Sequence, residues 1–290
     1  MNDKHKTKEE IFVDFSQEEH ENVDEYLNFL QKNLIAAFLP KESIKNFTEF
    51  SKDYETPYLF ENVIVDIDNN SISEITETLQ KLDKINIPHI QIRFLDKINF
   101  EILQILENLS FISVQIVVKF SEFSEKDFEN YNKIFAIFVY QSPKKKEKEL
   151  NKKKVYFKKS NSFECCGKVT KQTFSLTTSH ICQSQKFNTC LYKKLYISEK
   201  GDIRNCPQAQ SFGNIFDLSI NEICDLLQNQ SFKKFWNITK NEISVCQDCE
   251  FRNICTDCRY FLTDENNKFS KPKNCNYNPY STEWEKSKKQ

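Results

Sequence analysis

Between residues 61 and 142, apolar positions come in short runs separated by amphipathic stretches. The runs Val63–Ile67, Ile90–Phe94, Ile112–Phe120 and Ile134–Val139 are rich in β-branched and aromatic residues, the composition of strands. Between them, Ile72, Ile75, Leu79 and Leu82, and then Ile102, Ile105, Leu106 and Leu109, recur mostly at helical spacings. Each set predicts a helix with one buried stripe. A weaker stretch, Glu125–Lys133, reads as a third helix. Strands alternating with helices predict an α/β fold whose parallel sheet has helical crossovers. Four such units are too few to close an eight-stranded barrel. The expectation is therefore an open or partial (β/α) barrel-like sheet over residues 61–143.

On the N-terminal side, Ile11–Phe15 alternates briefly. Val23, Tyr26, Leu27, Leu30 and Leu34 then predict an amphipathic helix ended by Pro40. Residues 1–60 read as a small helical region. Residues 144–154, KKKEKELNKKK, form a charge run after Pro143. It reads as a solvated loop or helix face and marks a linker between domains. In residues 155–290, Leu195–Ser198 and Asp202–Asn205 flank Glu199-Lys200-Gly201, which predicts a hairpin with glycine at its turn. Ser219–Gln228 predicts a helix with Ile220, Ile223, Cys224 and Leu227 on one face, Cys224 being a small core residue. The tail from Asn276 onward is expected to wrap the surface.

The formal charge is −1 over 290 residues, so no overall basic field recruits nucleic acid. The charge run lacks the aromatic residues on which bases stack. No apolar stretch suits secretion or a membrane span. A cytoplasmic, reducing location is expected, and no membrane partner. In that setting clustered cysteines are more often metal ligands or catalysts than disulfides.

All eleven cysteines lie at or after Cys165. Seven form one string: Cys190-x10-Gly201-x4-Cys206, then Cys246-x2-Cys249-x5-Cys255-x2-Cys258, then Cys275. A four-cysteine zinc site usually sets its two CxxC pairs about 15–20 residues apart, whereas five residues separate the pairs here. One zinc could still be closed by these pairs, with Cys190, Cys206 and Cys275 idle. Close-set cysteines plus distant ones suit iron–sulfur clusters better, because a cubane presents four iron corners that lie wider apart than the ligand positions of one ion.

The string resembles the SPASM domain, the C-terminal extension of peptide-modifying radical SAM enzymes. Its last inner gap, Thr256-Asp257, is one residue shorter than that pattern. The segments HIQIRFLD, NTCLYKKLYISEKGDIRNCP, FGNI, CQDCEFRNICTDCRYF and CNYNPYSTEW are similar to those of the SPASM-domain peptide maturases of grasp-with-spasm systems. The resemblance implies two auxiliary [4Fe–4S] clusters. Cys190, Cys206 and Cys258 would hold the first, and Cys246, Cys249, Cys255 and Cys275 the second. The first set needs a fourth thiolate. Cys182 is the nearest candidate and Cys166 the alternative, while an iron left open for a substrate atom is a third option. The resemblance also implies an ATP-grasp ligase and a precursor peptide as partners.

The CxxxCxxC loop of a radical SAM enzyme is missing, and residues 1–164 contain no cysteine. Reductive cleavage of S-adenosylmethionine is not expected from this chain alone. Three functions remain open: peptide maturation with precursor binding, electron transfer through two clusters, and a zinc-stabilised binding module without catalysis. Other candidate groups carry less weight. His180 reads as a satisfied or exposed histidine, and Arg204, Lys193 and Lys194 as cations near cluster cysteines or plain surface charge. Asp66 and Asp68 read as a solvated turn at a strand end. His89 and Arg93 flank the next strand and can reach the same face. No catalytic residue is assigned.

Overall fold

The computed structural model describes residues 12–13, 15–32, 55–68, 71–160 and 167–285. The chain divides into two units, Met1–Ser51 and Lys52–Gln290. In the first, helix α1 spans His20–Lys32, with Leu27 buried and Tyr26 exposed. Tyr26 is thus off the buried stripe expected of it. Ile11, Leu34 and Pro40 lie outside the described residues.

The second unit is built on one sheet. Its strands are β1 (Asn62–Ile67), β2 (His89–Phe94), β3 (Ser113–Lys119), β4 (Ile134–Tyr140), β5 (Lys146–Leu150), β6 (Lys153–Phe157), β7 (Lys194–Ile197) and β8 (Ile203–Arg204). They lie in the order β5-β6-β4-β3-β2-β1-β7-β8. All neighbours are parallel except the β5–β6 and β7–β8 hairpins at the two ends. Helices α2 (Ile72–Lys84) and α3 (Phe100–Asn108) supply the crossovers β1–β2 and β2–β3. A capping box between Ser71 and Glu74 starts α2, satisfying backbone donors that the first turn leaves open.

The fold is a mixed α/β arrangement around a large, mostly parallel sheet. One sheet face, with Val63, Val65, Ile90, Ile92, Val114 and Ile116, joins Ile75, Leu79, Leu82, Ile102 and Leu106 in a single apolar core. Each of these strand residues is two positions from the next on its strand, so all point to the same side.

Four expectations need correction. Glu125–Lys133 holds only a 3-10 turn at Lys126–Phe128. Its one large buried side chain is Phe128, stacked on Phe123, too little apolar surface to hold a longer helix. The charge run is neither loop nor helix: residues 146–150 and 153–157 form the β5–β6 hairpin. Asn151 and Lys152, both with positive φ, make the two-residue turn that suits strand twist. The alternating Lys and Glu of β5 then sit on the sheet edge, where charge discourages further strand pairing. The tail forms a small hairpin, β9 (Tyr277–Asn278) with β10 (Glu283–Trp284). Its Tyr277 is buried, with the rings of Phe251 and Trp284 about it. Last, Ser219–Gln228 divides into helix α5 (Ile220–Asp225) and a 3-10 turn.

The β7–β8 hairpin forms where Gly201 was expected to turn it. Gly201 has φ +82°, and a Cβ there would meet Asn214 Oδ1 and the Phe216 ring, each at 2.7 Å. Pairing of β7 with β1 brings the start of the cysteine string onto the sheet.

Candidate metal centre

Cys190 precedes β7 and Cys206 follows β8, so the hairpin carries a thiol at each end. Both shoulders are pinned by buried asparagines. Asn188 Oδ1 accepts from the backbone N–H groups of Cys190 and Leu191, each at 3.0 Å. Asn205 Nδ2 donates to the Leu191 and Lys194 carbonyls, and its Oδ1 accepts from Trp236 Nε1 at 3.2 Å. Cys258 is brought to the same place from the far end of the string. Asn188 Nδ2 donates to Asp257 Oδ2 at 2.7 Å, and the Asp257 N–H donates to Thr189 Oγ1. These bonds lock the Cys190 and Cys258 segments together.

Burial pushes the Cys258 thiol up, Cys190 adds to this as a negative neighbour, and the Tyr260 and Phe261 N–H groups pull it back. The Tyr260 hydroxyl is raised by burial first, then by Cys206 and Cys258. Electrostatic coupling of this kind acts only at short range in a protein. Cys190 is therefore near Cys258, and Tyr260 is near both Cys206 and Cys258. Gly167, with φ +76°, runs against Cys258 so closely that a Cβ on it would lie 3.3 Å from Sγ.

The second group lies in the coil after residue 240. Burial is the first cause of the raised thiol pKa at Cys246 (about 11), Cys255 (about 12) and Cys249, and Cys275 acts as a negative neighbour on all three. The Phe251 N–H faces the Cys249 sulfur. At the far end of the string, Cys275 is bridged to Val169. Cys275 is thus an electrostatic neighbour of Cys246, Cys249 and Cys255, and Cys190 of Cys258.

Near Cys246 and Cys255 lies a buried charged cluster that the sequence did not announce. Asp257, Arg259 and Lys240 are 1%, 2% and 5% exposed. Arg259 donates to Asp257 Oδ1 at 2.7 Å, and Lys240 Nζ lies 3.2 Å from the same oxygen. Arg259 also holds the carbonyls of Lys268 and Ser270. Burial alone would lower Lys240; Asp257, and then Cys255 and Cys246, outweigh it and hold the ammonium charged. Two cations against one carboxylate leave a buried positive excess beside thiols that must become thiolates to bind metal. Asp257 and Arg259 stand inside the cysteine string, but neither spacing nor residue type marks them as buried.

The other candidate residues are distributed as follows. Cys182 is buried in helix α4 (Thr178–Lys186). Cys166 lies outside the described residues. Cys224 is half-buried against the core, and burial raises its thiol. His180 is neither exposed nor fully satisfied: Nε2 is buried with no hydrogen-bond partner, and the ring faces the backbone of Cys255. Of the three nearby cations, Lys194 approaches a thiol, at 4.0 Å from Cys190 Sγ. Lys193 pairs with Glu55 and Arg204 with Asp202. Asp66 is not a solvated turn. It is buried, paired with Arg93 and accepting from Tyr196 OH at 2.9 Å. His89 and Arg93 do share a sheet face, four residues apart on β2.

The donor set fits iron–sulfur chemistry. Cys190, Cys246, Cys249, Cys255, Cys258 and Cys275 form no disulfide. Backbone N–H groups face the sulfurs of Cys249 and Cys258, an environment that stabilises thiolate and tunes cluster potential. Among the described residues, no three His, Cys, Asp or Glu side chains are grouped to hold a single metal ion. When bound, a cluster would supply one-electron chemistry or a Lewis-acidic iron.

The family model for SPASM, an iron–sulfur cluster-binding domain, matches residues 182–250. The chain therefore carries a SPASM domain, and the match takes in Cys190, Cys206, Cys246 and Cys249. No curated protein and no solved structure matches this chain. Among the described residues, no helix is long and apolar enough to cross a membrane.

Proposed function

We propose that this protein is an iron–sulfur component of a peptide-maturation system, of the kind in which a SPASM-domain maturase works with an ATP-grasp ligase on a precursor peptide. It would act in the reducing cytoplasm and bind the precursor. Two [4Fe–4S] clusters are held, one by Cys190, Cys206, Cys258 and either Cys182 or Cys166, the other by Cys246, Cys249, Cys255 and Cys275. The observation that carries this reading is the cysteine array lying within and just beyond the SPASM match; the effects of Cys190 on Cys258 and of Cys275 on Cys246, Cys249 and Cys255 support its division into two sets. Cysteines far apart in sequence are thereby shared between sites, as in other two-cluster proteins.

The test is anaerobic co-expression with candidate precursor and ligase, followed by purification and metal analysis. About eight iron and eight sulfide per chain are expected from two four-iron clusters, with precursor and ligase retained. A colourless folded protein with stoichiometric zinc and no acid-labile sulfide overturns the cluster assignment. Full cluster content with neither partner retained overturns the maturation role.

A further inference from the structure

Parallel sheets are ordinarily covered on both faces and apolar on both. This one departs from that at its centre. Opposite the core face, β1 carries Asn62, Ile64 and Asp66, β2 carries His89, Gln91 and Arg93, and β3 begins with Ser113 and Gln115. Register aligns Asn62, His89 and Ser113 in one row and Ile64, Gln91 and Gln115 in the next. The first row continues onto β7 at Lys194, the partner of Asn62.

Neighbouring polar groups are already linked. His89 Nδ1 and Ser113 Oγ are 2.7 Å apart, and Gln91 Nε2 donates to Gln115 Oε1 at 2.8 Å. These contacts preorient the side chains and leave further donor and acceptor capacity on each carboxamide. The two rows form the floor of a cavity of about 660 Å³, with Ser175 and Thr177 from the segment before α4 on its wall. That volume lies within the range of ligand pockets.

Lys194 is the cation of the lining, and the lining contains no carboxylate. Burial lowers the His89 pKa, with Glu61 opposing, so the ring adds no charge near neutral pH. From Ser113 across β2 and β1 to Lys194 is three strand spacings, roughly 14 Å, the reach of about four extended residues. At its far end Lys194 Nζ stands 4.0 Å from Cys190 Sγ.

We propose that this polar sheet face binds an extended acidic peptide segment, which lies across Gln91 and Gln115 and sets a side-chain carboxylate on Lys194 beside Cys190. That the occupant is a peptide rests on the function proposed above. Its need for a carboxylate rests on the pocket alone.

The test uses the full chain, prepared anaerobically, and three fluorescent tetrapeptides. One is an amide ending in glutamate, the second its glutamine twin, and the third the glutamine twin with a free C-terminus. A charge-assisted hydrogen bond of about 1.5–3 kcal/mol corresponds to a preference of about tenfold or more for the glutamate peptide. Lys194→Met should abolish that preference. The Gln91→Leu/Gln115→Leu double variant, away from the cysteines, should weaken both amides together and keep the preference. Iron content is measured for each variant. If Lys194→Met loses iron, the wild-type comparison and the double variant decide.

Equal binding of the twins by wild type, binding by neither, or unchanged affinity in the double variant overturns the proposal. Binding of the free-terminus peptide in place of the glutamate amide overturns the side-chain assignment. No precursor or ligase enters this assay. Precursor retention without tetrapeptide binding therefore rejects the pocket and leaves the maturation role. Glutamate preference without retention of either partner does the reverse.

Discussion

Asp257 lies between Cys255 and Cys258 in the sequence and joins the Cys190 shoulder to two buried cations through one carboxylate. Asn188 ties it to the Cys190 shoulder, while Lys240 and Arg259 neutralise it. Removing the carboxylate as Asp257→Asn leaves two buried cations without their counter-ion, at a cost of about 3–5 kcal/mol. Lys240→Met leaves Asp257 paired to Arg259 and loses one charged contact, about 1.5–3 kcal/mol. Urea unfolding under anaerobic, reducing conditions should rank Asp257→Asn as the more damaging. Equal losses would show that Lys240 and Arg259 do not share the carboxylate. Cys249→Ala or Cys255→Ala should each remove roughly half the iron and loosen the C-terminal segment, since metal binding and local folding are linked. Iron and sulfide assay with thermal unfolding checks this, and unchanged iron in both variants would remove them from the ligand set.

At the scale of elements, two turns with opposite needs test the backbone. Gly201 holds φ +82° with no space for a methyl group. Gly201→Ala should cost at least about 1–3 kcal/mol from overpacking and left-handed strain combined. Lys152, at φ 67° in the β5–β6 turn, lies in the region that glycine adopts without steric cost and other residues adopt only at a cost. Lys152→Gly should therefore leave stability unchanged or raise it by about 0.5–1 kcal/mol, as the relief of left-handed strain offsets the entropy of glycine. A lower thermal midpoint for Gly201→Ala, with Lys152→Gly at or above wild type, is the expected result. A loss at Lys152→Gly would mean that its side chain, not its backbone, holds the hairpin. Strands β1 to β4 were legible because their apolar runs are long and their crossovers local. The β5–β6 hairpin was not, because alternating Lys and Glu reads as a solvated run until β4 supplies a partner edge.

Across the whole molecule, the two halves of the second unit are held differently. The sheet core is a continuous apolar cluster. The segment that carries Cys246 to Cys275 sets Cys246, Tyr260 and Phe269 at the edge of that cluster, but for regular structure of its own it has only a short 3-10 turn and the Leu262–Pro272 bridge, and relies also on side-chain hydrogen bonds, ion pairs and its thiols. Hydrogen exchange should show β1 to β4 protected with or without iron, and residues 240–275 protected strongly only after cluster reconstitution. Equal protection of 240–275 in both states would mean that packing alone orders this segment. The cysteine spacing announced a metal domain, and the SPASM match to residues 182–250 agrees with it. The polar floor at His89, Gln91, Ser113 and Gln115 had weaker signals. The alternation in HIQIRF was visible, but its meaning depended on which strands stood beside it.

What the sequence determined by itself was local: alternating strands and helices, a glycine turn at 201, and cysteines at intervals suited to clusters. These follow from side-chain periodicity and steric limits within a few residues. The tertiary structure decided that Asp257, Lys240 and Arg259 are buried together near Cys246 and Cys255, and that β7 aligns Lys194 with Asn62. The link between Lys194 and Asn62 spans most of the sheet domain's sequence, while the Asp257–Arg259 contact is local and its burial is itself set by the surrounding fold. Strand register and buried hydrogen bonds establish such links only once the chain has packed.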